Sequence, residues 1–244
     1  MTSQHRPEAT LPRGASAFGG VSLGAAMGVR RLAGRGVVLT TILALALAFA
    51  GGFIERRVTT AGAVDRSLAA TFRLVVPLFC FALAARACDR VKLRDAAWPL
   101  ARYGASRRDV ALGIGMALVL ASAVSGALLA VVAVVSAQSA AAPPFARDAF
   151  TSGWIGALVG AAYAGWFAFG ATFLERGRGR LVPLVLDFLF GSGAGLFAAL
   201  LPRAHGRGLL GGEGPLGLSQ PQSSVALLLM AMLLLVAAAL RCRE

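Results

Sequence analysis

Long intervals without a charged residue constrain this chain more than any other feature. Four intervals carry no Asp, Glu, Lys or Arg, and two more carry a single charge each: 36–54, 110–146, 149–174, 214–240, 67–85 and 181–202. The two single charges are Arg73 and Asp187. Because a charge at mid-bilayer costs about 2.5–3.5 kcal/mol, uncharged apolar runs of about 20 residues are typical of membrane-spanning helices. We therefore predict an all-α, polytopic membrane protein.

The intervals predict six transmembrane helices in one domain over 37–244. The spans are placed at 37–54, 68–88, 110–136, 151–174, 181–201 and 223–240. None of these runs shows the alternation of period two that marks the strands of a membrane barrel. The composition is 57% apolar and 14% charged, whereas soluble domains average about 45–50% and about 25%. A water-soluble helical core is therefore disfavoured, since too little polar surface remains to cover it.

The distribution of basic residues predicts the orientation of the spans. With six spans both termini lie on one side, and most arginines fall in the loops of that side: 30–35, 86–94, 102–108 and 176–180. Because basic loops stay in the cytosol, both termini are predicted to be cytoplasmic. The predicted location of the protein is the inner or plasma membrane. The net charge of +13 then favours anionic lipid, and not nucleic acid, as the partner of the arginines.

The segment before the first span is predicted to be a cytoplasmic tail over residues 1–36. An interfacial helix could lie over 21–35, although the glycines within 1–28 argue against a firm helix there. Ala48-Phe49-Ala50 resembles a signal-peptidase site. Because about 36 residues precede this apolar run, too many for a signal peptide, we expect the first helix to stay uncleaved.

The chain lacks the motifs of enzymatic chemistry. The sequence has no G-x-x-x-x-G-K-[ST] loop for nucleotide phosphates, no H-E-x-x-H and no C-x-x-C. Gly191-Ser192-Gly193 is similar to the serine motif of intramembrane proteases, but no predicted span contains the histidine such a serine needs. We interpret these glycines as loosening or kinking the fifth helix. The sequence therefore predicts no enzyme, no bound cofactor and no metal site.

Two features inside the predicted spans bear on packing and polarity. Gly156-x-x-x-Gly160 is a signal for close helix packing. Arg73 and Asp187 lie near opposite faces of the predicted bilayer, with levels about 12 Å apart at 1.5 Å per residue. Two alternatives stay open for these charges. Either each one reaches the nearer headgroups, or both line the wall of a polar cavity.

The cytoplasmic loop over 89–109 is the most informative stretch. Asp95 is predicted to cap a short helix that ends near Tyr103, because Gly104 fits a helix stop. Ser106-x-x-Asp109 is a capping box that opens span three. The short helix carries Trp98, Leu100 and Tyr103, and four arginines flank these side chains: Arg94, Arg102, Arg107 and Arg108. Either a partner covers this helix, or it lies flat among the headgroups.

This topology and the segment from Leu100 to Gly113, Leu-Ala-Arg-Tyr-Gly-Ala-Ser-Arg-Arg-Asp-Val-Ala-Leu-Gly, resemble the membrane (permease) subunit of ABC transporters of the type-two exporter class. The resemblance implies a coupling helix that docks on a separate ATP-binding cassette subunit, where ATP and Mg²⁺ are bound. It implies six residues in contact with that partner: Asp95, Trp98, Leu100, Tyr103, Arg107 and Arg108. The family often has Glu and then Gly-Thr-Leu before this helix, where the chain has Asp95-Ala-Ala-Trp98.

Two functions follow as expectations. The first is a permease subunit of an ATP-driven transporter that forms the translocation path, as a homodimer or as a heterodimer with a similar permease. The second is a polytopic scaffold or assembly protein that transports nothing and whose loop anchors at the interface. Exposed aromatic side chains on the loop helix suit either function, because both partner surfaces and headgroup layers accept them.

Overall fold

The computed structural model describes residues 17–59, 62–139 and 144–243 of the chain. These ranges are built from helices and turns and contain no strand, which confirms the all-α prediction. Ten α-helical elements follow one another in these ranges: α1 Ala17–Leu32, α2 Arg35–Val58, α3 Ala63–Ala87, α4 Leu93–Ala101, α5 Arg107–Ala137, α6 Phe145–Gly170, α7 Leu181–Phe190, α8 Leu196–Ala199, α9 Pro202–Leu209 and α10 Gln220–Leu240. Short 3-10 helices cover Glu175–Arg180 and Pro215–Gly217.

Five of the described helices are long and apolar enough to cross a membrane: α2, α3, α5, α6 and α10. They contain the first, second, third, fourth and sixth predicted spans, apart from a few residues at the ends. Five such helices fit a multi-pass membrane protein. The third helix is interrupted by one π-helical segment, Thr71–Val75, which contains Arg73.

The predicted fifth span over 181–201 is not one helix. The chain forms the ten-residue α7, a turn over 191–195 and the four-residue α8 before Pro202 opens α9. Gly191, Gly193 and Gly195 fall in this turn, and glycine destabilises a helix by about 1 kcal/mol relative to alanine. The expected loosening by glycine is therefore confirmed, and it is strong enough to divide the segment into separate short helices.

The N-terminal α1 corrects the expectation that its glycines prevent a firm helix. Gly20, Gly24 and Gly28 recur every four residues and form the buried face of α1. A Cβ on Gly24 would overlap the backbone of Val110 in α5, so the two helices touch backbone to backbone. Close packing of this kind offsets the helix penalty of glycine. The predicted interfacial segment 21–35 thus corresponds to a helix packed on α5.

The centre of the bundle is the contact between α5 and α6. A Cβ on Gly156 would overlap the carbonyl oxygen of Gly126, and a Cβ on Gly160 would overlap that of Ser122. The packing role predicted for Gly156-x-x-x-Gly160 is confirmed. Large side chains such as Tyr163 and Phe167 fill the remaining space and are fully buried.

The segment between α6 and α10 passes from one end of the bundle to the other. At one end, the guanidinium of Arg241 lies 4.2 Å from the ring centroid of Phe173, just beyond the last turn of α6. At the other end, the Nε2 of Gln220 donates to the carbonyl of Leu209, 3.3 Å away, where α9 ends. We call these the α4 end and the α9 end, since α4 contacts Ala171 beside Phe173.

Candidate functional sites

The short helix α4 is fixed to the bundle by hydrogen bonds from two other elements. The backbone N–H of Leu93 donates to the carbonyl of Ala171, 3.1 Å away, at the end of α6. Arg31 of α1 donates from Nη1 to the carbonyl of Ala87 at 2.9 Å and from Nη2 to that of Ala96 at 3.1 Å. The buried side of α4 consists of Leu93, Ala96 and Ala97. Hydrogen bonds therefore link α4 directly to α1 and to the end of α6, and Arg31 extends this link to the end of α3.

The opposite side of α4 presents aromatic surface. Trp98 is 47% exposed and Tyr103, just after the helix, is 80% exposed. The guanidinium of Arg107 lies 4.3 Å from the ring centroid of Trp98, a cation–π contact. A cavity of about 280 Å³ is lined by Arg94, Asp95, Trp98 and Arg107. The structure thus brings together three of the predicted contact residues and leaves Tyr103 outside the cavity.

Two other predicted contact residues are less accessible. Leu100 is half-buried, and its side chain packs α4 against the apolar core. Arg108 is half-buried in the first turn of α5. Of the predicted set, Asp95, Trp98 and Tyr103 are therefore the residues most exposed to another molecule.

The start of α4 differs from the prediction that Asp95 caps it. Lys92 occupies the N-cap, and Asp95 lies in the first turn of the helix. Its Oδ1 is 3.8 Å from the Nε of Arg94. A carboxylate in the first turn still favours the helix through its dipole.

Gly104, with φ +90°, ends the segment as predicted, because glycine adopts this conformation without strain. Ser106 is the N-cap of α5, although within the described loop it makes no capping bond through its side chain.

Two free cysteines, Cys88 and Cys242, lie near α4, and both are buried. Burial raises the pKa of the Cys242 thiol to about 12 and also raises the pKa of Cys88. The thiolate is the reactive form of cysteine. Both thiols are therefore protonated at neutral pH, which disfavours thiolate chemistry at either position.

Asp187 lies in the core of the described structure, with 1% of its surface exposed. The hydroxyl of Tyr163 donates to Oδ2 of Asp187 at 2.7 Å, and the backbone N–H of Arg203 donates to Oδ1 at 3.4 Å. The carboxylate thus joins α6, α7 and α9. A side chain that reaches out to headgroups would be exposed, so that alternative is wrong for Asp187.

Arg73 lines a different cavity, of about 380 Å³, near the α9 end of the bundle. Four guanidinium groups and one carboxylate line this space: Arg66, Arg73, Arg203, Arg207 and Asp65. Sequence analysis singled out only Arg73. The missed signal was spacing, because Arg66 and Arg73 lie two turns apart on α3, and Arg203 and Arg207 lie one turn apart on α9.

The four arginines of this cavity differ in how they are held. Arg207 donates to the carbonyls of Ser192, Gly193 and Glu213, which ties the turn after α7 to the loop after α9. The Nη1 of Arg66 donates to the hydroxyl of Thr59 at 3.3 Å. Among the described residues, the guanidinium groups of Arg73 and Arg203 make no hydrogen bond. These two groups are therefore the ones available to a bound molecule.

Comparison of the chain with protein-family models, curated proteins and solved structures gives no match. The resemblance drawn from Leu100 to Gly113 stays a prediction, and the geometry of α4 and of the arginine-lined cavity carries the functional argument.

Proposed function

We propose that this chain is the permease subunit of an ATP-driven exporter, coupled through α4 to a separate ATP-binding cassette subunit. The observation that carries the proposal is the exposed aromatic face of α4, on a helix whose other face is fixed between long apolar helices. Exposed Trp and Tyr on a rigid support are typical of the central residues of protein interfaces.

The hydrogen bonds of α4 supply the route by which a partner would act on the bundle. In this proposal the partner binds ATP with Mg²⁺ and hydrolyses the ATP. Closure of the partner subunits pushes α4. Arg31 and Leu93 pass that displacement to α1, to the end of α3 and to the end of α6. Two permease subunits, as a homodimer or with a similar permease, line the path.

The proposed topology has six crossings, with α4 and both termini in the cytosol of the inner or plasma membrane. The short helices α7 to α9 make the fifth crossing as an interrupted passage. Its support is the position of Arg241 beside Phe173 at one end and of Gln220 beside Leu209 at the other. Irregular backbone is tolerated at membrane depth where protein surrounds it or where it lines a cavity.

The second candidate is a polytopic scaffold that transports nothing and whose α4 lies among lipid headgroups. The cation–π contact between Arg107 and Trp98 favours it, because such an aromatic-basic pair also suits a headgroup layer. The two candidates differ in whether α4 holds an ATPase.

Joint replacement of Trp98 and Tyr103 by alanine tests the proposal. We expect the tagged wild-type chain, purified from its native membranes in mild detergent, to retain Mg²⁺-dependent ATPase activity. The ATPase activity that co-purifies with the Trp98→Ala/Tyr103→Ala chain should be lower by about tenfold or more. The reason is that removal of a central interface aromatic costs about 2 kcal/mol or more of binding free energy. The measurement is ATP hydrolysis per mole of purified chain.

Trp154→Ala is the matched control, because Trp154 is 56% exposed but belongs to α6, far from α4 along the chain. This variant should keep the wild-type ATPase yield. An equal yield from the double α4 variant, or a wild-type chain that carries no ATPase, would support the scaffold instead.

A further inference from the structure

The cavity at the α9 end has an unbalanced charge. Arg66, Arg73, Arg203 and Arg207 face one carboxylate, Asp65, across its lining. Among the described residues, none of these guanidinium groups lies within 4 Å of a carboxylate oxygen. Clustered guanidinium groups repel one another, and an anion placed between them removes that repulsion.

The cavity also has an apolar wall. Ala69 and Phe72 from α3, with Leu210 just after α9, line the same space as the arginines. The volume of about 380 Å³ lies at the lower end of ligand pockets, which span about 300–1,000 Å³. The space therefore suits a charged headgroup with the first part of an attached chain, and it is too small for a complete two-chain lipid.

Arg207 joins two loops at the border of the cavity. Its guanidinium holds the carbonyls of Gly193 and Glu213 at 3.0 and 3.1 Å, so two loops that border the cavity are joined. Arg73 and Arg203 project from different helices into the same space, and neither guanidinium makes a hydrogen bond among the described residues, although the charge of Arg203 also acts on Asp187. Guanidinium groups bind phosphate oxygens in pairs of parallel hydrogen bonds, so two guanidinium groups whose N–H donors are free of protein acceptors suit a phosphate group.

We propose that this cavity binds the phosphate headgroup of an anionic amphiphile, held by Arg73 and Arg203 with its apolar part along Phe72 and Leu210. The site lies wholly in this chain. It needs no ATPase partner, so its failure and the failure of the coupling proposal are separate results.

Native mass spectrometry of the full purified chain in non-ionic detergent tests this site. The probes are phosphatidic acid, phosphatidylcholine with the same acyl chains, and inorganic phosphate. We expect phosphatidic acid to be retained at least tenfold more than phosphatidylcholine, and inorganic phosphate to bind at least tenfold more weakly. The Arg73→Gln/Arg203→Gln chain should lose at least nine-tenths of the retained phosphatidic acid.

Arg147→Gln is the matched control, because Arg147 is exposed in α6 and does not line the cavity. It removes one positive charge and should retain phosphatidic acid as the wild type does. If the double variant does not fold, Arg73→Gln alone is used, since Arg73 is exposed, and it should lower retention at least threefold. Equal retention of the two lipids, or retention unchanged in the cavity variants, would overturn the proposal. Inorganic phosphate that binds as tightly as phosphatidic acid would assign the site to a free anion and overturn it as well.

Discussion

Replacement of Gly156 by alanine should destabilise the folded chain by about 2–3 kcal/mol, although it adds one methyl group. The added Cβ would overlap the carbonyl oxygen of Gly126, and a backbone atom cannot rotate away as a side chain can. The helices α5 and α6 must therefore separate, and contacts along both helices weaken together. The measurement is the midpoint of unfolding by a denaturing detergent, followed by loss of helical circular dichroism.

Gly51→Ala is the matched control for this change. Gly51 also lies in a long apolar helix, α2, but its added Cβ would meet no atom within 4 Å. Because alanine favours a helix over glycine by about 1 kcal/mol, this variant should be as stable as the wild type or slightly more stable. Equal midpoints for Gly156→Ala and Gly51→Ala would show that α5 and α6 are not in backbone contact.

Asp187→Leu should cost about 3 kcal/mol of folding free energy, because one buried donor and one half-buried donor lose their acceptor. The hydroxyl of Tyr163 and the backbone N–H of Arg203 both donate to this carboxylate inside the described core. Leucine fills the space but accepts no hydrogen bond. The short helices α7 and α9 then lose the side chain that joins them to α6. The same unfolding midpoint reports the effect.

A double-mutant cycle separates the hydrogen bond from the packing. In Tyr163→Phe the hydroxyl is already absent, so Asp187→Leu should cost about 1 kcal/mol less in that background than in the wild type. Asp95→Leu is the control, since that carboxylate is exposed on α4 and its replacement should change stability by less than about 1 kcal/mol. A wild-type midpoint for Asp187→Leu would mean that the carboxylate faces lipid or water, contrary to the structure.

Much of the fold was predictable from the sequence because bilayer-length apolar runs have few alternatives. The predicted span over 110–136 lies within α5, and that over 223–240 lies within α10. The contact at Gly156 was predictable for a similar reason, since small residues four apart create a flat helix face. In each case a local pattern was sufficient.

The errors arose where distant residues decide the structure. The glycines of α1 lower its intrinsic helicity, but Val110 of α5, far away in sequence, lets that same face pack closely. The glycines over 191–195 predicted a loosened fifth helix but not its division into separate helices, because the turn there is also held by Arg207, which lies outside the interval 181–201. The spacing of the arginines could have placed each pair on one helix face, but the cavity itself could not be predicted, because only the fold brings α3 and α9 together.

The measurement that tests the account most directly is the side of the membrane on which α4 lies. Arg102→Cys places a thiol on an exposed position at the end of α4, and Glu213→Cys places one on an exposed loop at the α9 end. The native cysteines are buried, so a membrane-impermeant maleimide should report the new thiols. We expect Glu213→Cys to be labelled in intact cells and Arg102→Cys only in inside-out vesicles. Labelling of Arg102→Cys in intact cells would contradict the account, because α4 could then meet no ATP-driven partner.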